Sequence, residues 1–372
     1  MPYEGLSRKT NLFLGVLFHI WLFLVSYPTT AVVIHQMSIG VDDVFAMVEC
    51  VIADFDYFSF IYICLCFTAQ MSELEQIFYD ITDFLEFCDI SIIQNAEKDV
   101  KLYTTLLVGY FCIGILLNAL APLINLSSCR ESRRLSELLQ KYDPCGSIGR
   151  NLYPFDTRGI FVTSFVNITK VLGISMLCLG FLGITIVLIG LCIHILAQFD
   201  NLKKKLSKLF NQDLENPQKM EDDLNSCIRY HIAIINYTNR VFAVYNMLVL
   251  VYITITSIIF GLMLFFILKL NTFIDKLIHA AHLAGWLVML FITCYYAQRV
   301  TDESISIADA VYSSSWYKAP IKLQKSACLM IKRAQKPLTL RAVSSCVISL
   351  VTFLTVIKTA YSFFAVVVTI SD

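Results

Sequence analysis

The chain has 372 residues, of which 57% are hydrophobic, 13% aromatic and 16% charged, far below the roughly 25% charge of an ordinary soluble domain. Lys plus Arg equals Asp plus Glu at 29 each, so the net charge points to no nucleic-acid or acidic partner and the placement of the charges carries the information. This is the composition of an integral membrane protein.

A hydrocarbon core about 30 Å thick needs about 20 apolar residues in a helix, because only a backbone that satisfies its own hydrogen bonds can cross it. Seven stretches meet that requirement, at 11–34, 44–70, 103–126, 159–198, 241–268, 277–298 and 342–370. The first follows Arg8 and Lys9; read instead as a cleaved signal peptide, it would leave six spans and a weaker charge asymmetry. The second carries Glu49, Asp54 and Asp56 among Phe55, Tyr57, Phe58 and Phe60. A carboxylate in hydrocarbon is costly unless it faces a cavity or a partner, so this segment is either a hydrogen-bonded vestibule or a ligand contact.

The third span ends at the Asn125 sequon, and Cys129 and Cys145 share the loop beyond it, where a bridge and two free thiols are both open readings. Most of the other cysteines lie inside apolar runs, where a thiol serves as a small hydrophobe. The fourth stretch is about 40 residues long, roughly 60 Å as a helix and twice the hydrocarbon thickness. Phe199, Leu202, Leu206 and Phe210 continue it at helical spacing, and HIAIINYTNRVFAVYNM leads into the fifth span in the same manner, which predicts two cytoplasmic helical extensions packed together. Gly183, Gly190 and Ala197 recur every seven residues and would let another helix approach closely. His279 and His282 begin the sixth span as an i, i+3 pair; a metal site would need a third ligand, so interfacial hydrogen bonding is the favoured role. In IKLQKSACLMIKRAQ, Leu323, Ala327, Met330 and Ile331 share one helical face, with Lys322, Lys325, Lys332 and Arg333 largely elsewhere. An amphipathic helix follows, either lying on anionic lipid or packing against a neighbouring subunit. The seventh span is expected directly after Pro337-Leu338-Thr339-Leu340 and runs past Lys358 to two closing polar residues.

Orientation follows from the cations. With the N-terminus inside, the inner segments at 1–10, 71–102, 199–240 and 299–341 hold nineteen Lys and Arg and the outer segments eight. An odd number of spans then places the C-terminus outside. No GxGxxG, GxxxxGK, HExxH or paired CxxC occurs, so nothing here reads as an enzyme. A G-protein-coupled receptor would place its N-terminus outside, and neither a DRY-like triplet after the third span nor NPxxY in the seventh is found.

The run from Cys294 to Leu340, followed by SLVTFLTVIKTAYSFFAVVV, resembles the C-terminal signature of insect odorant receptors. Its elements are Asp302, Glu303 and Ser304; Tyr312, Trp316 and Tyr317; Lys336, Pro337 and Leu338; and Tyr361, Ser362, Phe363 and Phe364. Upstream the likeness is one of length, span number, inverted topology and the YPFD stretch before the fourth span, and Ala297 and Gln298 stand where Gly-Asn is common. The resemblance implies an all-α integral membrane fold of seven transmembrane helices, N-terminus inside and C-terminus outside, with a cytoplasmic helical anchor. Residues 1–298 would form the six-span ligand-binding region with cytoplasmic extensions of spans four to six, 299–341 the anchor segment and 342–372 the pore-lining last span. It implies an odorant-gated, nonselective cation channel of the plasma membrane, in sensory dendrites, assembled as a hetero-tetramer with a shared co-receptor and needing no cofactor.

By the same resemblance Val368 takes the hydrophobic gate position and Thr369 the polar position beside it, where the co-receptor has Gln, with Phe364, Tyr361 and Lys358 on the same helix. A ring of valines closes a narrow pore by dewetting it. A small, mostly apolar volatile wants a dry pocket with few polar groups. The resemblance places that pocket in the outer half of the bilayer, with Tyr57, Phe58, Gly114, Asn118, Phe165, Thr169 and Trp286 as its candidates. A gustatory receptor of the same superfamily would share the topology, but its last span usually carries Thr-Tyr and then Gln-Phe, which this chain lacks.

Overall fold

A computed structural model describes residues 44–124, 159–211, 217–270, 273–342 and 346–371. The first expected span, the Asn125 sequon, Cys129 and Cys145 lie outside these residues. Helix α1 (Val44–Ala69) stops where CLCFTA gives way to the polar QMSELEQ; Gln70 leaves the helical region at φ −100° and ψ 6°. There Phe55–Ala69 meets Met71–Glu86 at a 60° bend. The second limb is α2 (Met71–Asp80) and a 3-10 turn (Thr82–Glu86).

Helix α3 (Ile90–Ile124) is followed by α4 (Ile160–Asn211) and α5 (Pro217–Lys269), of 52 and 53 residues. Neither long helix contains an internal proline, and Pro217 takes the first position of α5, where its missing N–H costs nothing. At 1.5 Å per residue each is almost 80 Å long, about 50 Å more than the hydrocarbon layer can hold. The expected extensions are therefore real and continuous with their spans. Phe199, Leu202, Leu206 and Phe210 are all buried, as are Leu224, Tyr230, Ile234 and Val241 of α5. The turn after α2 closes over this packing, with Phe87 stacked on Tyr230 at 5.0 Å and Phe84 edge-on to Tyr237 at 5.3 Å.

Helix α6 (Phe273–Tyr312) runs unbroken through the sixth span and the acidic-serine stretch. Helix α7 (Ile321–Ala334) buries Leu323, Ala327, Met330 and Ala334. This apolar face is covered by α6 and α5 of the same chain, so it neither lies on lipid nor awaits another subunit. A hairpin of β1 (Arg341–Ala342) and β2 (Cys346–Val347) follows, pairing Arg341 with Val347 and Ala342 with Cys346. Helix α8 therefore begins at Leu350 and ends at Ser371, later than hydrophobicity alone placed the span. The reason is local: the β1–β2 pairing takes up the chain to Val347, and Ser349 Oγ accepts the Thr352 N–H at 3.3 Å as an N-cap.

Among the described residues α3, α4, α5, α6 and α8 are long and apolar enough to cross a membrane, and the bent α1–α2 segment makes a sixth. The small-residue heptad is only partly a contact. A Cβ on Gly190 would meet Val100 at 3.3 Å, one on Gly183 would meet nothing within 4 Å, and the tight position is Gly180, where it would fall 1.9 Å from the Phe60 ring. Different neighbours explain this: α3 reaches Gly190, whereas a single α1 aromatic reaches Gly180.

Candidate functional site

Four helices converge on an aromatic cluster. Phe60 of α1 lies 6.0 Å from Phe181 of α4, which meets Trp286 of α6 edge-on at 4.8 Å; Tyr252 of α5 lies 5.8 Å from the same indole. Beside it is a cavity of about 20 Å³ lined by Ile63, Phe181, Thr185, Tyr245, Tyr252 and Thr293, among others. That is room for about one water molecule. The lining is apolar apart from a few hydroxyls, and two of these are already engaged: Thr185 donates to the Phe181 carbonyl at 2.9 Å and Tyr245 to the Ile184 carbonyl at 3.3 Å. Asp56 lies one turn from Phe60 on α1, is only 6% exposed, and its Oδ1 has no hydrogen-bond partner among the described residues.

Of the residues the resemblance nominated for ligand contact, Trp286 is in this cluster, and its indole N–H donates to His282 Nε2 at 3.2 Å. Its neighbour His279 bonds the Asp275 carbonyl at 2.8 Å through Nδ1, which gives both imidazoles hydrogen-bonding roles. Tyr57 is half-buried on α1, while Phe58 and Phe165 are 60% and 67% exposed. Thr169 is exposed and donates to the Val166 carbonyl. Asn118 donates to the Gly114 carbonyl within α3, and a Cβ on Gly114 would meet nothing within 4 Å. So the structure gathers Trp286 with Phe60 of the acidic second-span segment and with Phe181, Tyr245 and Tyr252, which no sequence signal singles out. Span five is a wall of this site through two tyrosines, Tyr245 and Tyr252, seven residues apart and so two turns along one face.

On α8, Val356 and Ala360 are buried, and Phe353, Phe364, Val367 and Val368 pack against the core. Gly261 of α5 makes the closest approach, since a Cβ there would meet the Ala360 carbonyl at 2.9 Å. Lys358, Tyr361 and Thr369 stand on the uncovered face, and Val368 lies at its border.

The signature residues at the far end of α6 form a polar frame with the chain that enters the hairpin. Ser304 Oγ accepts the Leu338 N–H at 3.1 Å and donates to the Thr301 carbonyl at 2.7 Å, while Thr301 donates to the Leu338 carbonyl at 2.9 Å. Asp302 accepts from Gln298, and Glu303 pairs with Lys203 of α4. Arg240 joins α5 to both ends of α2 through Glu73, at 2.7 Å, and Asp80. Tyr230 donates to Gln198 Oε1 at 2.6 Å and accepts from Asn201. Burial pulls the His231 imidazole down to about 4, with Arg333 acting in the same direction, and pushes the Cys227 thiol up to about 11.

Residues 41–361 match a family model described as 7tm Odorant receptor. Odorant receptor 82a of Drosophila melanogaster is 27% identical over 178 residues, 47% of this chain and 45% of that one. Odorant receptor 67c of the same organism is 28% identical over 197 residues, 52% and 46% of the two chains. The chain thus spans about half the length of the curated relatives it matches. The solved structure of the insect olfactory receptor OR5 from Machilis hrabei in complex with eugenol superposes with a TM-score of 0.80 at 16% identity, covering 100% of this chain and 93% of that chain. At that identity the likeness is one of fold.

Proposed function

The chain belongs to the insect odorant receptor family, a family of multi-pass membrane proteins and not of enzymes, and from that premise we propose that it is one subunit of an odorant-gated, nonselective cation channel in the plasma membrane of a sensory dendrite. Its partner is a shared co-receptor, with which it forms a hetero-tetramer. The N-terminus lies in the cytoplasm and the C-terminus outside, a direction that the distribution of Lys and Arg supports. Spans one to six, within 1–298, bind a small volatile in the outer half of the membrane; 299–341 serves the cytoplasmic anchor and the last span is the pore wall.

The observation that carries this reading is the two-sidedness of α8. Its Phe353–Ala360–Phe364 side packs on the chain's own helices while Lys358, Tyr361 and Thr369 face away from them. A span with one free face carrying a lysine, a tyrosine hydroxyl and a threonine is suited to line an aqueous path with copies of itself, with Val368 at the margin as the gate. Ligand contact is assigned to Trp286, and by the resemblance also to Tyr57, Phe58, Gly114, Asn118, Phe165 and Thr169, which the structure does not gather beside it. A cavity sized for one water must widen to admit an odorant, so binding favours a state in which the four-helix seam is spread. That spreading reaches α8 through α5 and α6, on which it packs.

Whole-cell current in cells expressing the chain with a co-receptor tests the reading. Val368→Trp should cut odorant-evoked current at least tenfold while surface labelling stays unchanged; unaltered current would remove the gate assignment.

A further inference from the structure

We propose that Asp56 is a specificity-determining group for the ligand, and that the molecule it selects is a small apolar compound carrying a hydroxyl. This rests on the reading of the chain as a ligand-gated receptor and names the chemistry of its ligand. Asp56 is one helical turn from Phe60, whose ring contacts Phe181, and Phe181 contacts Trp286. Cys178, one turn before Phe181 on α4, lies close enough to the carboxyl to interact with it electrostatically. The carboxyl therefore sits in the α1–α4 seam, one turn from the aromatic cluster and on the same side of α1.

A buried acceptor without a donor is a standing cost to the fold, because water is lost and nothing replaces it. Nothing among the described residues repays Asp56 Oδ1. The hydroxyl of Ser59, three residues on, donates to the Phe55 carbonyl instead. A ligand that brings one donor into the seam, and apolar surface for Phe60, Phe181 and Trp286, removes that cost on binding.

A hydroxyl fits this demand better than an ammonium. An ammonium carries three donors, and the single unpaired oxygen Oδ1 answers only one of them. It would also have to be stripped of water on entering the buried seam. One hydroxyl matches one unpaired oxygen.

The experiment compares octanol, octyl methyl ether and octylamine on cells expressing the chain with a co-receptor. The ether keeps the skeleton and loses the donor. In the wild type octanol should be about tenfold or more the more potent of the two oxygen compounds, as expected for one hydrogen bond to a buried group. Asp56→Leu, which removes a buried polar group and so leaves folding intact, should bring octanol to the level of the ether without changing the ether. Asp56→Asn retains an acceptor and should keep the preference. Equal potency in the wild type, a preference that survives Asp56→Leu, or octylamine as the strongest agonist would each overturn the proposal. Quenching of tryptophan fluorescence in the purified protein, where Trp286 adjoins the site, separates the two levels. Binding in the expected order without current would sink the channel reading and leave this one standing; no binding of any probe would overturn this one.

Discussion

Gly180 shows how little room the aromatic cluster leaves. Its absent side chain is where the Phe60 edge lies, so Gly180→Ala must push a ring that is also held by Phe181. Overpacking of this kind costs about 1–3 kcal/mol. The variant is expected to melt at lower temperature in detergent, and Phe60→Leu in the same chain should restore much of the loss, because the smaller side chain vacates the space. His231 makes a second prediction at this scale. Its imidazole is buried and held down to about 4, against 6.5 when unfolded. The unfolded state therefore binds more protons between those values, and the stability tied to neutral His231 is complete above pH 6.5 and lost as the pH falls toward 4. Melting temperatures across that range should drop for the wild type and drop less for His231→Leu.

Elements were easier to read than contacts. The extensions of α4 and α5 were legible because an apolar stripe at Phe199, Leu202, Leu206 and Phe210 obeys the helical period whatever it packs against. The start of α8 was not, because hydropathy sees no difference between a hairpin arm such as Cys346–Val347 and the first turn of a span. The covering of α7 was likewise hidden: its pattern announces an apolar face, while the identity of the cover depends on α6 folding back beside it. The aromatic cluster has the same limitation, since Phe60, Phe181, Tyr252 and Trp286 come from four helices and no sequence spacing joins them. The motif Asp302-Glu303-Ser304 could be recognised without its purpose being visible. That purpose is the frame around Leu338, which ties α6 to the chain entering the hairpin. Ser304→Ala leaves the buried Leu338 N–H without an acceptor and should cost about 1–3 kcal/mol. Thr301→Ser, which keeps its hydroxyl and both bonds, should cost much less, and chemical denaturation of the two variants side by side distinguishes them.

At the scale of the whole molecule, direction in the membrane decides whether the last helix can serve as proposed. Nineteen cations against eight is a strong asymmetry, but it is not uniform. The segment 127–158 alone contributes six of the eight charges expected outside, whereas 199–240 and 299–341 hold seven and eight of those expected inside. Those two inner segments fold into one packed body, in which Lys203 pairs with Glu303 and Lys322 with Glu221. A folded body of that size and polarity does not cross a bilayer once formed, so α4 ends, α5 begins and α6 ends on one and the same side. With the frame in the cytoplasm, α8 runs outward from its hairpin, and its Lys358 stands two turns beyond the inner entrance at Leu350. An epitope placed after Asp372 should then be labelled on intact cells, and one inserted at 212–216, between α4 and α5, only after permeabilisation. Labelling in the reverse order would put the Ser304 frame outside and leave α8 pointing inward, and the assignment of Val368 and Thr369 to the outer part of a pore would be lost with it.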